Sequence, residues 1–138
     1  MALLFDEDYK TLAEANLAFE EDETSRYLIF KDFPLPPGIY RDEDGPRLTV
    51  DVLYVVPPNY NTEGGDMFWV RHALSRIDGV PIPSISGPNQ DSRTCKDVEY
   101  FRWSRHWNHN PWKAKIDNVR TIIDRLTWAF KYPDAKRV

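Results

Sequence analysis

The sequence predicts an α+β fold, in which helices pack against one face or the ends of an antiparallel sheet. Three observations support this class. Apolar residues recur at helical spacing near both ends of the chain, strand-forming segments separated by turns lie between them, and a long irregular segment precedes the second helix. Because 138 residues without internal repeats suit one domain with a substantial core, we expect a single domain over residues 1–138.

The N-terminal segment, residues 6–19, is predicted to form a short helix. Its acidic start, at Asp6 and Asp8, suits the positive end of a helix dipole, and apolar residues recur along it at an imperfect helical spacing. The acidic run Glu20–Glu23 that follows is expected to be a solvated turn.

Three segments have the composition of strands in a meander: residues 26–30 (RYLIF), 47–56 (RLTVDVLYVV) and 66–70 (DMFWV). The second is the strongest prediction, because apolar and polar residues alternate along it before it becomes fully apolar. The segment DFPLPPG, residues 32–38, cannot be helical, since three prolines in four positions force extended backbone and a turn.

The second half of the chain is predicted to contain a long coil followed by a helix. Residues 77–91 carry two glycines and three prolines, and an irregular stretch of this length in a compact domain is usually functional. It leads to Cys95, whose polar neighbours in DSRTCKD predict an exposed thiol. An amphipathic helix over residues 116–130 is predicted by apolar side chains at helical spacing, namely Ile116, Val119, Ile122, Ile123, Leu126 and Phe130.

Composition excludes several functional classes. A net charge of −4 and a pI of about 5.3 make nucleic acid a poor partner, although residues 93–105 form a local basic stretch. A single cysteine excludes an internal disulfide. The apolar N-terminus lacks the basic start of a signal peptide, and no apolar run approaches the ~20 residues of a membrane span, so we expect a cytoplasmic protein.

The order of elements and several motifs resemble the UBC fold of ubiquitin-conjugating enzymes. Residues 54–70 (YVVPPNYNTEGGDMFWV) resemble the third strand, proline-tyrosine turn and fourth strand of that fold. Residues 87–89 (GPN) resemble its His-Pro-Asn motif with Gly in place of His. Cys95 falls at the acceptor position, and Trp103-Ser104 follows it by the spacing seen in many members. Residues 116–130 match the helix after the acceptor cysteine.

More narrowly, the FPLPPG, DMFW and RWSRHW segments are similar to one bacterial branch, the prokaryotic family designated E. The resemblance covers roughly residues 25–130. Three features depart from the family pattern: Gly87 replaces the histidine, Asn89 lies six residues before Cys95 where eight are usual, and residues 105–112 form an insertion. Members of such branches act with a ubiquitin-like protein, an activating enzyme and a deubiquitinating peptidase.

The resemblance implies a conjugating enzyme without a cofactor of its own. Cys95 would accept a ubiquitin-like protein as a thioester from the activating enzyme and pass it to an amine of a protein substrate. A thiolate suits both steps, being a strong nucleophile and a good leaving group. Asn89 matches the oxyanion residue of the motif, and His106 is the favoured substitute, since imidazole can donate to an oxyanion or accept a proton from the amine. Asp97 or Asp117 could deprotonate or orient the lysine.

Several alternatives stay open. Cys95 could be a small buried apolar residue, and the chain could be an inactive UBC-like or RWD-like module that only binds a ubiquitin-like partner. It could also be a structural subunit of a larger complex. A serine, at position 92 or 104, could carry the tag as an oxyester with His106 as base. A zinc site of Cys95, His106 and His109 is disfavoured, because no paired ligand motif accompanies them.

The tryptophans of the same region have two interpretations as well. Trp103, Trp107 and Trp112 are predicted to be core residues that hold the coil against the final helix. The alternative is a cluster on which a ligand stacks.

Overall fold

The computed structural model describes residues 2–87 and 89–135. The elements in chain order are α1 (Asp6–Glu14), β1 (Ala18–Asp22), β2 (Tyr27–Pro34), β3 (Tyr40–Asp42), β4 (Gly45–Pro46), β5 (Thr49–Val55), β6 (Met67–Arg71), β7 (Ser75–Arg76), β8 (Arg93–Cys95), β9 (Val98–Ser104) and α2 (Val119–Lys131). Six strands form one antiparallel sheet in the order β1-β2-β5-β6-β9-β8, and β4-β3-β7 form a smaller sheet. The α+β class with an antiparallel meander and two terminal helices is therefore confirmed.

One face of the large sheet packs against the helices and holds the main core. Side chains alternate along each strand, so Phe30, Val52, Phe68 and Trp103 point to this face. Phe130 on α2 lies among them, with its ring centroid 5.2 Å from Trp103 and 5.4 Å from Phe68. The apolar stripe predicted for the C-terminal helix is the surface that covers the sheet.

A buried carboxylate joins the two helices. Asp8, which is 3% exposed, accepts hydrogen bonds on Oδ1 from the Tyr60 hydroxyl and from the amide of Val119, each at 3.1 Å. Its Oδ2 accepts a third from the Phe5 amide at 3.0 Å. Val119 is the first residue of α2, so Asp8 also lies at the positive end of that helix dipole.

The second face of the sheet carries a smaller apolar cluster formed by Ile29, Leu53, Trp69, Cys95 and Tyr100. The sheet curls over this face. In a flat sheet of this order, β1 and β8 would lie ~24 Å apart, because neighbouring strands are about 4.8 Å apart. Instead, Lys96, in the turn directly after β8, lies within ion-pair distance of Glu20 on β1. The tip of the β8–β9 hairpin therefore lies against the first strand.

The predicted strands appear as β2, β5 and β6, whereas the ends of the chain differ from expectation. The first helix ends at Glu14. The prediction of a turn over residues 20–23 is wrong for the first three of them, which belong to β1 and pair with β2. The last helix begins at Val119, because the Asn118 side chain caps it by accepting from the Arg120 amide at 2.9 Å. The extent of the single domain, residues 1–138, stays a prediction.

The segment predicted as a long coil is largely irregular, but Cys95 does not lie in it. Apart from a bridge between Ile85 and Trp103, residues 77–92 form no strand or helix where the structure describes them. Cys95 follows in β8. The cysteine therefore lies in a paired strand, beyond the end of the predicted coil.

Candidate functional site

Cys95 ends the short strand β8 at the tip of a hairpin. Its backbone pairs with Val98, and only Lys96 and Asp97 connect the two strands. Both connecting residues have positive φ, 52° and 64°, which is the conformation of a two-residue turn whose twist matches the flanking strands. The turn thus fixes the register and places Cys95 next to β9.

The Cys95 side chain is buried against the sheet, contrary to the exposed thiol that its polar neighbours predicted. The residue is 5% exposed and packs in the cluster with Ile29, Leu53, Trp69 and Tyr100. Flanking polarity misled the prediction because alternate residues of a strand face opposite sides. Thr94 and Lys96 are exposed, while the residue between them faces the sheet.

Burial raises the pKa of the Cys95 thiol. The Asp22 carboxylate acts in the same direction, and Glu20 adds to it, whereas the Lys96 ammonium opposes both. In this conformation the thiol is therefore a weaker acid, and a less available nucleophile, than a free cysteine.

Charged and aromatic groups surround the base of the hairpin. The Arg93 guanidinium lies over the Trp69 ring, 4.5 Å from its centroid, and the Trp69 indole donates to the Asp91 carbonyl at 2.8 Å. The Asp91 carboxylate accepts from Arg93 at 2.6 Å and from Arg102 at 2.9 Å. These two guanidinium groups lower the pKa of Asp91, Arg93 acting most strongly.

Asn89 lies close to the same hairpin but is bound to its other face. Its backbone N–H donates to a Glu99 carboxylate oxygen at 3.0 Å, and the same oxygen accepts from the Ser92 hydroxyl at 2.5 Å. The hydrogen bond from Ser92 and, after it, that from the Asn89 amide lower the pKa of Glu99. Glu99 lies between Val98 and Tyr100 in β9, so its side chain points away from the face that holds Cys95.

His106 lies beyond the opposite end of β9. Cys95 pairs with Val98 at the start of that strand, and His106 is two residues past its end at Ser104. Seven residues of strand separate the two positions by on the order of 20 Å. The His106 side chain is 46% exposed, and its Nδ1 is 3.7 Å from an Asp66 carboxylate oxygen. The three predicted site residues are therefore not brought together in this conformation, and His109 is an exposed residue further along the chain.

Arg105, in the RWSRHW segment, is a buried residue that sequence reasoning missed. Its side chain is fully buried over the Trp103 ring, 4.8 Å from the centroid, and donates to the carbonyls of Pro83 at 3.0 Å and Pro133 at 3.4 Å. Burial lowers its pKa to about 10. Arg105 thus ties the irregular segment to the end of α2, a role for which the sequence pattern gives no signal.

Two of the tryptophans of this region, Trp103 and Trp107, are buried, as predicted, and Trp112 packs partly buried against the core. Trp103 is 1% and Trp107 is 9% exposed. Trp112 is half-buried, and its indole donates to the Asn61 carbonyl at 2.8 Å. The Arg125 guanidinium packs between two of them, 4.9 Å from the Trp107 centroid and 5.6 Å from that of Trp112.

Residues 2–87 and 89–135 contain no group of three or more His, Cys, Asp or Glu side chains arranged to hold a metal ion. Within the same residues, no helix has the length and apolar character needed to cross a bilayer.

An antiparallel, curled sheet with one N-terminal and one C-terminal helix is an α+β arrangement consistent with an E2-like fold. A family model described as Prokaryotic E2 family E matches residues 4–132, and the chain belongs to this family. The comparisons with curated proteins and with solved structures gave no significant match. Membership indicates a role in the conjugation of a ubiquitin-like protein, in which E2 proteins in general meet that protein and its activating enzyme.

Proposed function

We propose that this chain accepts a ubiquitin-like protein on Cys95 as a thioester and transfers it to an amine of a protein substrate. Family membership carries the proposal. Two features of the chain support it: Cys95 is the only cysteine, and it lies eight residues before Trp103-Ser104, at the tip of a surface hairpin.

The proposed chemistry consists of two acyl transfers. In the first, the Cys95 thiolate attacks the carbonyl carbon of the thioester on the activating enzyme, and the cysteine of that enzyme leaves as a thiolate. In the second, a substrate amine attacks the new thioester, Cys95 leaves, and the amine loses a proton to a base. Each addition forms an oxyanion that needs a hydrogen-bond donor. ATP is consumed by the activating enzyme.

Asn89 and His106 remain proposals for the donor and the base. Asn89 is adjacent to the hairpin through its bond to Glu99. His106 has an acidic neighbour, since its Nδ1 lies 3.7 Å from a carboxylate oxygen of Asp66. Because His106 and Cys95 lie at opposite ends of β9, His106 can assist transfer only after a rearrangement.

A second candidate is a module that binds a ubiquitin-like protein without carrying it. The burial of Cys95 favours this function, since burial keeps the thiol protonated and away from a large acyl donor. The substitution of glycine for the motif histidine at position 87 favours it as well.

A loading assay separates these functions. The protein is mixed with the activating enzyme and ubiquitin-like protein of its own conjugation system and ATP, and then run on a gel without reductant. A band shift that thiol reductant removes, and that is absent in Cys95→Ala, supports the thioester. A shift that survives reductant but is lost in hydroxide indicates a serine ester at Ser92 or Ser104. Binding without any shift would favour the docking module.

Discharge of the loaded protein to free lysine then tests His106. His106→Gln keeps a hydrogen-bond donor but removes the base, so slower discharge with normal loading would assign the base to this residue. His109→Gln is the matched control on the same segment. Equal discharge by His106→Gln and the unmodified protein would remove His106 from the mechanism.

A further inference from the structure

The β8–β9 hairpin over residues 93–100, called here the hairpin cover, is anchored more loosely than the rest of the sheet. In β9, only residues 101–104 pair with β6. Residues 93–95 and 98–100 pair with each other. The cover can therefore lift from the sheet as a unit without loss of a β6–β9 hydrogen bond.

In the part of the chain that the structure describes, side-chain contacts hold the cover against the sheet at three places, while Glu99 joins it to the irregular segment through Asn89 and Ser92. At the tip, the Lys96 ammonium lies 3.2 Å from the Glu20 carboxylate on β1. In the middle, Cys95 and Tyr100 pack on the apolar cluster of the sheet. At the base, Arg93 lies over Trp69.

The tip contact is the weakest of the three and the most open to solvent. The Lys96 side chain is 74% exposed and the Glu20 side chain 44% exposed. Exposed ion pairs contribute little, because water and salt screen them, and loss of one changes an equilibrium by about two- to fivefold. That change is large enough to measure.

We propose that the hairpin cover, which carries Cys95 and holds its thiol against the sheet, is a gate latched at its tip by Lys96 and Glu20, and that it must lift from the sheet before the thiol can react. The gate rests on the proposed function for its biological role, since it would keep the acceptor cysteine protected until a partner displaces the tip. The dependence of thiol reactivity on the latch does not require any partner.

The latch has a distinctive electrostatic signature. Lys96 lowers the pKa of Cys95, so loss of its charge alone would reduce the thiolate fraction and slow reaction with a disulfide reagent. Opening of the gate acts in the opposite direction. A faster reaction after removal of Lys96 therefore has to come from greater access to the sulfur.

The test measures the reaction of the full chain with Ellman's reagent, in which the Cys95 thiolate attacks the reagent disulfide and releases thionitrobenzoate. We expect the unmodified protein to react more slowly than free cysteine, and Lys96→Gln to react about two- to fivefold faster than the unmodified protein. Added salt should accelerate the unmodified protein more than Lys96→Gln, because salt weakens the repulsion of the anionic reagent in both proteins but weakens the latch only in the unmodified one. The control Lys10→Gln, an exposed lysine on α1, should leave the rate unaltered.

Charge exchange and a stability measurement complete the design. Lys96→Glu combined with Glu20→Lys should restore slow reaction. A rate for Lys96→Gln equal to or below that of the unmodified protein would overturn the gate. A thiol as reactive as free cysteine would overturn it as well, because the sulfur would then react without the cover lifting. Rates that follow the urea midpoints of the variants would also overturn it, because the sulfur would then react only through unfolding of the whole protein.

The loading assay distinguishes failure of the gate from failure of the proposed function. Faster Ellman reaction in Lys96→Gln, with no thioester in any variant, would keep the gate and remove the acceptor role. Thioester formation, together with equal Ellman rates for Lys96→Gln and the unmodified protein, would keep the acceptor role and remove the gate.

Discussion

Removal of the buried carboxylate of Asp8 is predicted to be among the most destabilising single changes outside the apolar core. Asp8→Ala leaves two buried donors without an acceptor, the Tyr60 hydroxyl and the Val119 amide, and frees the Phe5 amide at the surface end. An unsatisfied buried donor costs about 1–3 kcal/mol. The expected loss is therefore about 3–5 kcal/mol, a large part of the ~5–15 kcal/mol that stabilises a domain.

Urea denaturation followed by tryptophan fluorescence measures this loss as a shift in the midpoint at constant slope. Asp6→Ala is the matched control, because Asp6 is exposed in the same turn of α1 and contributes only about 0.3–1 kcal/mol through the helix dipole. Asp8→Asn keeps one acceptor oxygen and should fall between the two. If Asp8→Ala cost no more than Asp6→Ala, the bonds to Asp8 would not anchor α1 to α2.

Three further predictions concern the core and the thiol. Gly64→Ala would place a Cβ 2.3 Å from the Trp112 ring, so we expect a loss of about 1–3 kcal/mol and an altered near-UV spectrum, whereas Gly65→Ala, with its nearest neighbour at 3.5 Å, should change neither. Phe130→Ala, at the centre of the aromatic core, should lower the free energy of unfolding by about 3–5 kcal/mol, and a drop below 1 kcal/mol in urea titrations would contradict that packing. The raised pKa of Cys95 keeps its thiol protonated in the native state. The contribution of the buried thiol to stability is therefore complete below the ordinary thiol pKa, and it is lost as pH rises through the raised pKa of the folded protein. Urea midpoints between about pH 7 and pH 10 should therefore fall more for the unmodified protein than for Cys95→Ala, and parallel curves would refute the burial of an ionisable thiol.

Much of the fold was predictable because it depends on local patterns. The alternation in residues 47–56 and the apolar runs at 26–30 and 66–70 mark β5, β2 and β6, since period-two patterning fits a pleated strand. The apolar stripe predicted for the final helix is present in α2. This helix begins at Val119, three residues later than the pattern predicted, because Asn118 caps it. The family assignment over residues 4–132 agrees with the resemblance drawn from the motifs.

The elements that were missed lack local signals. Strand β1 contains the acidic residues 20–22, whose polarity indicates a turn, and it exists because β2 offers a pairing edge. The β8–β9 hairpin turns at Lys96-Asp97 without the glycine that usually marks such a turn. Pro88, part of the predicted GPN motif, lies outside the described residues.

The sequence by itself determined the α+β class, the central strands and the C-terminal helix, because these follow from residue spacing along short stretches of chain. It also determined the E2 family, through the resemblance of its motifs and the match of the family model. Only the tertiary structure decided that Cys95 is covered, that Asn89 is bound on the other face of the hairpin and that His106 lies at the far end of β9. The reason is physical: strand register and the curl of the sheet arise from contacts between residues distant in sequence, and they determine which face of a strand is buried.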